Sequence, residues 1–120
     1  MDFDEAIRAH GAWKAKLSTY LRKPDGSLKA AAIQSDNQCD LGRWIYGEGA
    51  QFGSDPEFAV LKASHKKFHK AAAEVVNKAD SGKSTSEDVA LGSKSEFSTA
   101  SANVVSAIMA IRRKAKSAGA

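Results

Sequence analysis

Apolar residues recur at steps of three and four along most of this chain, the spacing that gives an α-helix one buried stripe. Over Phe3 to Arg22 the stripe holds Phe3, Ile7, Leu17 and Leu21, with Trp13 and Tyr20 at its flanks. His10 lies on the same stripe, one turn past Ile7, and so points toward a core. Lys23-Pro24-Asp25-Gly26-Ser27 then places proline and glycine where a helix must stop. From Leu28 to Gln34 the pattern is short and supports one or two helical turns at most.

Asp36 or Asn37 is expected to cap a next helix running to about Tyr46, which puts Cys39 in its first turn. A thiolate is favoured there, because unpaired amides and the helix dipole stabilise negative charge. Gly42 costs that helix about 1 kcal/mol in propensity. Close approach of another backbone or ring is the usual compensation. Gly47-Glu48-Gly49 ends the element. Ser54 and Glu57 have capping-box spacing, with Pro56 in the first turn, and open a long helix to about Asp80. Its seam is Phe58, Leu61, His65, Phe68, Ala72 and Val75, with His69 beside it, while Lys62, Lys66, Lys67 and Lys70 fall mostly on the other side. After a turn at Ser81-Gly82-Lys83, Ser84 and Glu87 repeat the capping spacing and predict a last helix to about Lys116. That helix carries the seam Phe97, Ser101, Val104, Ile108 and Ile111, with alanines that allow close packing. Three long amphipathic helices and a short cysteine-bearing one predict an all-α fold, an antiparallel four-helix bundle forming one domain over residues 1–120.

Composition narrows the partners. Two prolines, abundant alanine and few β-branched runs agree with helices. No apolar run approaches the roughly 20 residues that span a bilayer. The acidic start Met1-Asp2-Phe3-Asp4-Glu5 has no apolar signal region, so the cytoplasm is the expected location and no membrane partner is expected. The net charge of +4 comes from lysines scattered along the chain, with a modest cluster at Arg112-Arg113-Lys114-Lys116. Nucleic-acid binding calls for a concentrated basic stripe interleaved with aromatics, and that is missing. A single cysteine cannot close an internal disulfide, which leaves metal ligation, reactivity or plain burial for Cys39.

The candidate chemistry joins four side chains. His65 and His69 are four apart, so both rings leave one helix face within reach of a common centre. By itself such a pair is a weak signal. His10 and Cys39 strengthen it, because all three histidines of the chain fall on predicted core faces. A buried imidazole without a partner costs free energy. Three imidazoles and a thiolate suit a borderline-soft ion of tetrahedral preference, so Zn²⁺ is the expected cofactor, with His10, Cys39, His65 and His69 as its ligands. Four protein ligands leave no position for an activated water, which argues against a hydrolase. Acid would weaken such a site by protonating the imidazoles, and oxidation of the thiolate would break it. Asp36 and Asp40 are candidate outer acceptors for imidazole N–H groups. Trp13, Trp44 and Phe68 read as packing around the site.

These residues resemble the chemoreceptor zinc-binding domain family. The matching features are Asp2-Phe3, Ala6-Ile7, Ala9-His10 and Trp13; then Cys39-x-Leu41-Gly42-Arg43-Trp44-Ile45-Tyr46-Gly47; then His65-x-x-Phe68-His69. They run in the family's order over about two thirds of the chain, and the cysteine motif is the most specific part. The resemblance implies a bacterial cytoplasmic helical bundle that holds zinc through His10, Cys39, His65 and His69. It further implies a homodimeric regulatory module without enzymatic activity, attached to or partnered with a chemotaxis receptor or a diguanylate cyclase. Such modules have been linked to sensing zinc or oxidants such as hypochlorous acid. Neither a receptor hairpin before it nor a cyclase after it is seen in the 120 residues, so the chain reads as a stand-alone member or an excised domain. Two alternatives stay open. One is an interaction bundle in which zinc only adds stability. The other is an enzyme using Cys39 as nucleophile with His10 or His69 as base.

Overall fold

The computed structural model describes residues 2–37, 39–81, 91–92 and 95–119, with side chains described as far as Lys114. Five α-helices are formed among them: α1 Phe3–Arg22, α2 Ala30–Gln34, α3 Asp40–Tyr46, α4 Pro56–Asp80 and α5 Glu96–Gly119. A 3₁₀ turn, Glu48–Phe52, follows α3. The described residues include no strand.

Local chemistry explains where each helix begins. The Asp2 carboxylate accepts the Glu5 N–H at 3.0 Å and starts α1, with Asp4 and Glu5 favourably placed in a first turn. For α4 the cap is Asp55, one residue later than the expected Ser54; its Oδ1 accepts the Glu57 N–H at 2.8 Å. The aspartate has a further role that a serine could not fill, since Lys114 Nζ on α5 lies 2.6 Å from its Oδ2. Arg112 pairs with Asp4 in the same way, so two cations near the end of α5 meet the starts of α4 and α1. The cysteine helix begins later than expected: neither Asp36 nor Asn37 caps it, and Cys39 itself occupies the N-cap.

The last helix also departs from the expectation. Helix α5 opens at Glu96, where the Ser95 hydroxyl accepts the Ser98 N–H at 3.1 Å and donates to the Gly92 carbonyl at 2.7 Å. The expected start at Ser84 and Glu87 lies outside the described residues. Gly92 and Ser95 are not helical, so the seam from Phe97 onward belongs to a helix with its own start.

The core follows the stripes. Every seam residue of α4, from Phe58 to Val75, is buried. Leu17 and Tyr20 of α1 join them, as do Ile33, Leu41 and Ile45 from the short helices and Phe97, Val104, Ile108 and Ile111 from α5. Helix α4 is central: it packs most extensively against α5, next against α2, and α1 lies on both long partners. The connection after α1 is stapled to the far end of α4, where the Tyr20 hydroxyl donates to Asp80 Oδ1 at 2.6 Å and accepts the Gly26 N–H at 3.2 Å. No described helix is long and apolar enough to cross a membrane.

Candidate metal centre

Four donor atoms converge where α1, α3 and α4 meet. His10 comes from the buried stripe of α1, His65 and His69 from consecutive turns of α4, and Cys39 from the N-cap of α3. One ligand atom from each lies within 4.8 Å of all the others. His65 Nε2 and His69 Nε2 are 3.0 Å apart, and Cys39 Sγ lies 3.2 Å from the first and 3.6 Å from the second. Zinc bonds of about 2.0–2.1 Å to nitrogen and 2.3 Å to sulfur give tetrahedral edges of about 3.4 Å between nitrogens and 3.6 Å to sulfur. The separations among His65, His69 and Cys39 are close to those of one coordination shell, and the His10 donor lies within 4.8 Å of all three.

The outer ring nitrogens decide how the imidazoles point. His10 Nδ1 lies 2.8 Å from the Ala6 carbonyl and His69 Nδ1 lies 2.7 Å from the Ile33 carbonyl. A carbonyl only accepts, so Nδ1 carries the proton in both rings and each Nε2 keeps its lone pair for the centre. His10 Nε2 is buried with no hydrogen-bond partner among the described residues, an orphaned lone pair that a metal ion would satisfy. His65 is fully buried and its Nδ1 also has no partner among the described residues, which offer it no outer acceptor like those of the other two rings. Backbone carbonyls thus take the role expected of Asp36 and Asp40. The Asp36 carboxylate instead accepts the Tyr46 hydroxyl at 2.6 Å, and Asp40 is exposed, 3.6 Å from Arg43. A carbonyl acceptor carries no residue-type signal, which is why inspection of side chains could not find it.

Burial dominates the electrostatics. Desolvation lowers the pKa of all three histidines. His65 is pushed down to about 3, first by burial and then by the neighbouring His69 and His10. Cys39, half-buried, is pushed up by burial, and the amides of the α3 start that point at it only partly oppose this. The Gly42 N–H is one of those donors, 3.4 Å from Sγ. A favourable thiolate was expected from the helix start alone. Burial raises the thiol instead, and a bound cation would be what deprotonates it. The imidazoles set a direction for pH. Their folded pKa values lie below the unfolded value of 6.5, so the unfolded chain takes up protons first. This contribution is whole above pH 6.5 and is lost as pH falls toward about 3. Urea midpoints of chelator-treated protein should accordingly drop between pH 7 and pH 5. A midpoint that stays level over that range would mean that the three rings remain solvated.

Packing keeps the donors in place. Phe68 is fully buried, with its ring centroid 5.1 Å from that of His10 and 5.6 Å from that of His69, and it rests on Phe97 at 5.3 Å. Trp44 of α3 packs against Phe3, Phe52 and Phe58 at 5.2, 6.0 and 6.2 Å, tying the cysteine helix to the rest. Trp13 is more peripheral, half-buried with Lys16 Nζ 4.8 Å over its ring. Gly42 is where backbone meets backbone: a Cβ there would stand 1.9 Å from the Asp36 carbonyl oxygen.

An all-helical protein with three buried imidazoles and a half-buried thiol whose ligand atoms lie within 4.8 Å of one another has a group positioned to bind a metal ion. The model of the chemoreceptor zinc-binding domain matches residues 10–76, more than half of the chain, and that span contains all four residues of the cluster. The chain belongs to that family, whose members bind zinc. No curated protein and no solved structure matches it.

Proposed function

We propose that this chain is a zinc-binding regulatory domain of bacterial signalling, with His10, Cys39, His65 and His69 as the four ligands. The observation that carries the reading is the convergence of their donor atoms within 4.8 Å around the unpartnered, buried Nε2 of His10. Zinc supplies a cross-link between three helices when bound, and a filled tetrahedral shell offers no site for water activation. That ligand count favours regulation over catalysis. Residues 1–120 act as one domain in this reading, with α1, α3, α4 and α5 as an antiparallel four-helix bundle that responds to the state of the cross-link. Two inputs suit the ligand set. Protonation of the imidazoles in acid lowers zinc occupancy. Transfer of one oxygen atom from hypochlorous acid to the thiolate, releasing chloride, gives a sulfenic acid that no longer holds zinc as thiolate does. The output is a chemotaxis or cyclic-di-GMP signalling partner, reached as a homodimer in the cytoplasm.

Elemental analysis with native mass spectrometry tests the ligand assignment. One zinc per chain is expected, lost in Cys39→Ala, with the oligomeric state read from the same spectrum. Protein that takes up no zinc even after its addition would overturn the assignment. If removal of zinc lowers the melting temperature but leaves helix packing and partner binding unchanged, the metal is structural only.

A further inference from the structure

Tyr46 is an exposed aromatic on the helix that carries the cysteine, and nothing in the metal cluster itself requires it. It is 46% exposed, yet three contacts engage it or its partner. Its hydroxyl donates to Asp36 Oδ2 at 2.6 Å. Lys62 Nζ of α4, one turn before His65, lies 5.0 Å over its ring. The backbone carbonyl of that same Asp36 packs against Gly42, where no side chain would fit. Asp36 precedes Cys39 by three residues and Tyr46 follows it by seven, so the hydrogen bond closes a short loop with the cysteine inside it. Three residues before Asp36, the Ile33 carbonyl holds His69 Nδ1. One segment thus orients a histidine at one end and presents the thiol at the other, and Tyr46 fastens its middle to α3 and α4. The bond to Asp36, followed by partial burial, pushes the phenol up to about 12, so the donor keeps its proton across the physiological range.

We propose that Tyr46 is a positioning residue of the metal centre: with Asp36 it forms an outer latch that holds the Cys39 turn closed and sets how fast thiol and zinc exchange with solvent. This rests in part on the zinc reading, and the experiment separates the two. Tyr46→Phe keeps the ring and its contact with Lys62 and removes only the hydrogen bond. Tyr20→Phe is the control, because it removes a tyrosine–aspartate bond of the same 2.6 Å length away from the centre. The rate of Cys39 alkylation in chelator-treated protein and the rate of zinc transfer from loaded protein to a chromophoric chelator are both measured. Loss of one charge-assisted hydrogen bond should raise each rate about five- to tenfold in Tyr46→Phe and leave both unchanged in Tyr20→Phe. Asp36→Ala should give a similar increase, and the double variant should exceed neither single variant, since both break one bond. Wild-type rates in Tyr46→Phe and Asp36→Ala, or equal acceleration in Tyr20→Phe, would overturn the latch. Should the wild type bind no zinc, the zinc reading fails alone, and the alkylation rates still decide the latch.

Discussion

Gly42→Ala is expected to displace the Cys39 turn and weaken zinc binding by about 10- to 100-fold, the scale seen when ligand-orienting groups are lost. In an ordinary helix the same change would stabilise by up to about 1 kcal/mol, so the sign itself is diagnostic. The reason is steric. A Cβ on residue 42 would sit 1.9 Å from the Asp36 oxygen, 2.8 Å from its carbonyl carbon and 2.9 Å from the Asn37 Cα. All three are backbone atoms, so no rotamer change relieves the clash and the chain must move. Because the Gly42 N–H points at Cys39 Sγ, a shift at residue 42 also disturbs the sulfur. Overpacking of this kind costs about 1–3 kcal/mol in stability, which unfolding curves of the metal-free variant would read separately. Competition with a chelator of known affinity measures the zinc effect. Wild-type affinity in Gly42→Ala would mean that this contact does not position the thiol.

Phe68→Ala should be the most destabilising single truncation near the centre, by about 3–5 kcal/mol. The ring is fully buried at the junction of α1, α4 and α5, touching His10, His69 and Phe97. Removing it deletes transfer energy, leaves a cavity and frees two imidazoles to turn. For a chain of this size the melting temperature should fall on the order of 10–20 °C. Phe68→Leu retains most of the volume and should cost clearly less. Equal losses in the two variants would show that cavity volume is not the controlling factor.

Particular residues show how far the sequence could be read. The bounds of α1 and α4 were legible because two strong stripes end at strong signals, Pro24 and Gly26 after the first helix and Pro56 before the second. Histidine spacing on α4 and the stripe of α1 likewise made three inward imidazoles legible. Cys39 was harder, since no periodicity relates it to α4; only the folding of α2 and its following turn brings it 3.2 Å from His65. Its place at the N-cap was missed because serine, threonine, asparagine and aspartate are the usual capping residues, and Asp36 and Asn37 stood nearby. The late start of α5 was missed for a related reason. Ser84 and Glu87 make a complete capping box, whereas Ser95 caps through a hydroxyl with no acidic partner three residues on. The 3₁₀ turn after α3 had no pattern beyond its glycines. The carbonyls of Ala6 and Ile33 were invisible for a deeper reason, because every residue has one and only the fold chooses among them.

X-ray absorption at the zinc edge of loaded, reduced protein tests the central claim most directly. The predicted shell has three nitrogen scatterers at about 2.0–2.1 Å and one sulfur at about 2.3 Å, with the sulfur absent in Cys39→Ala. A shell without sulfur, or one with two sulfurs from paired chains, would contradict a centre built from His10, Cys39, His65 and His69 of a single chain.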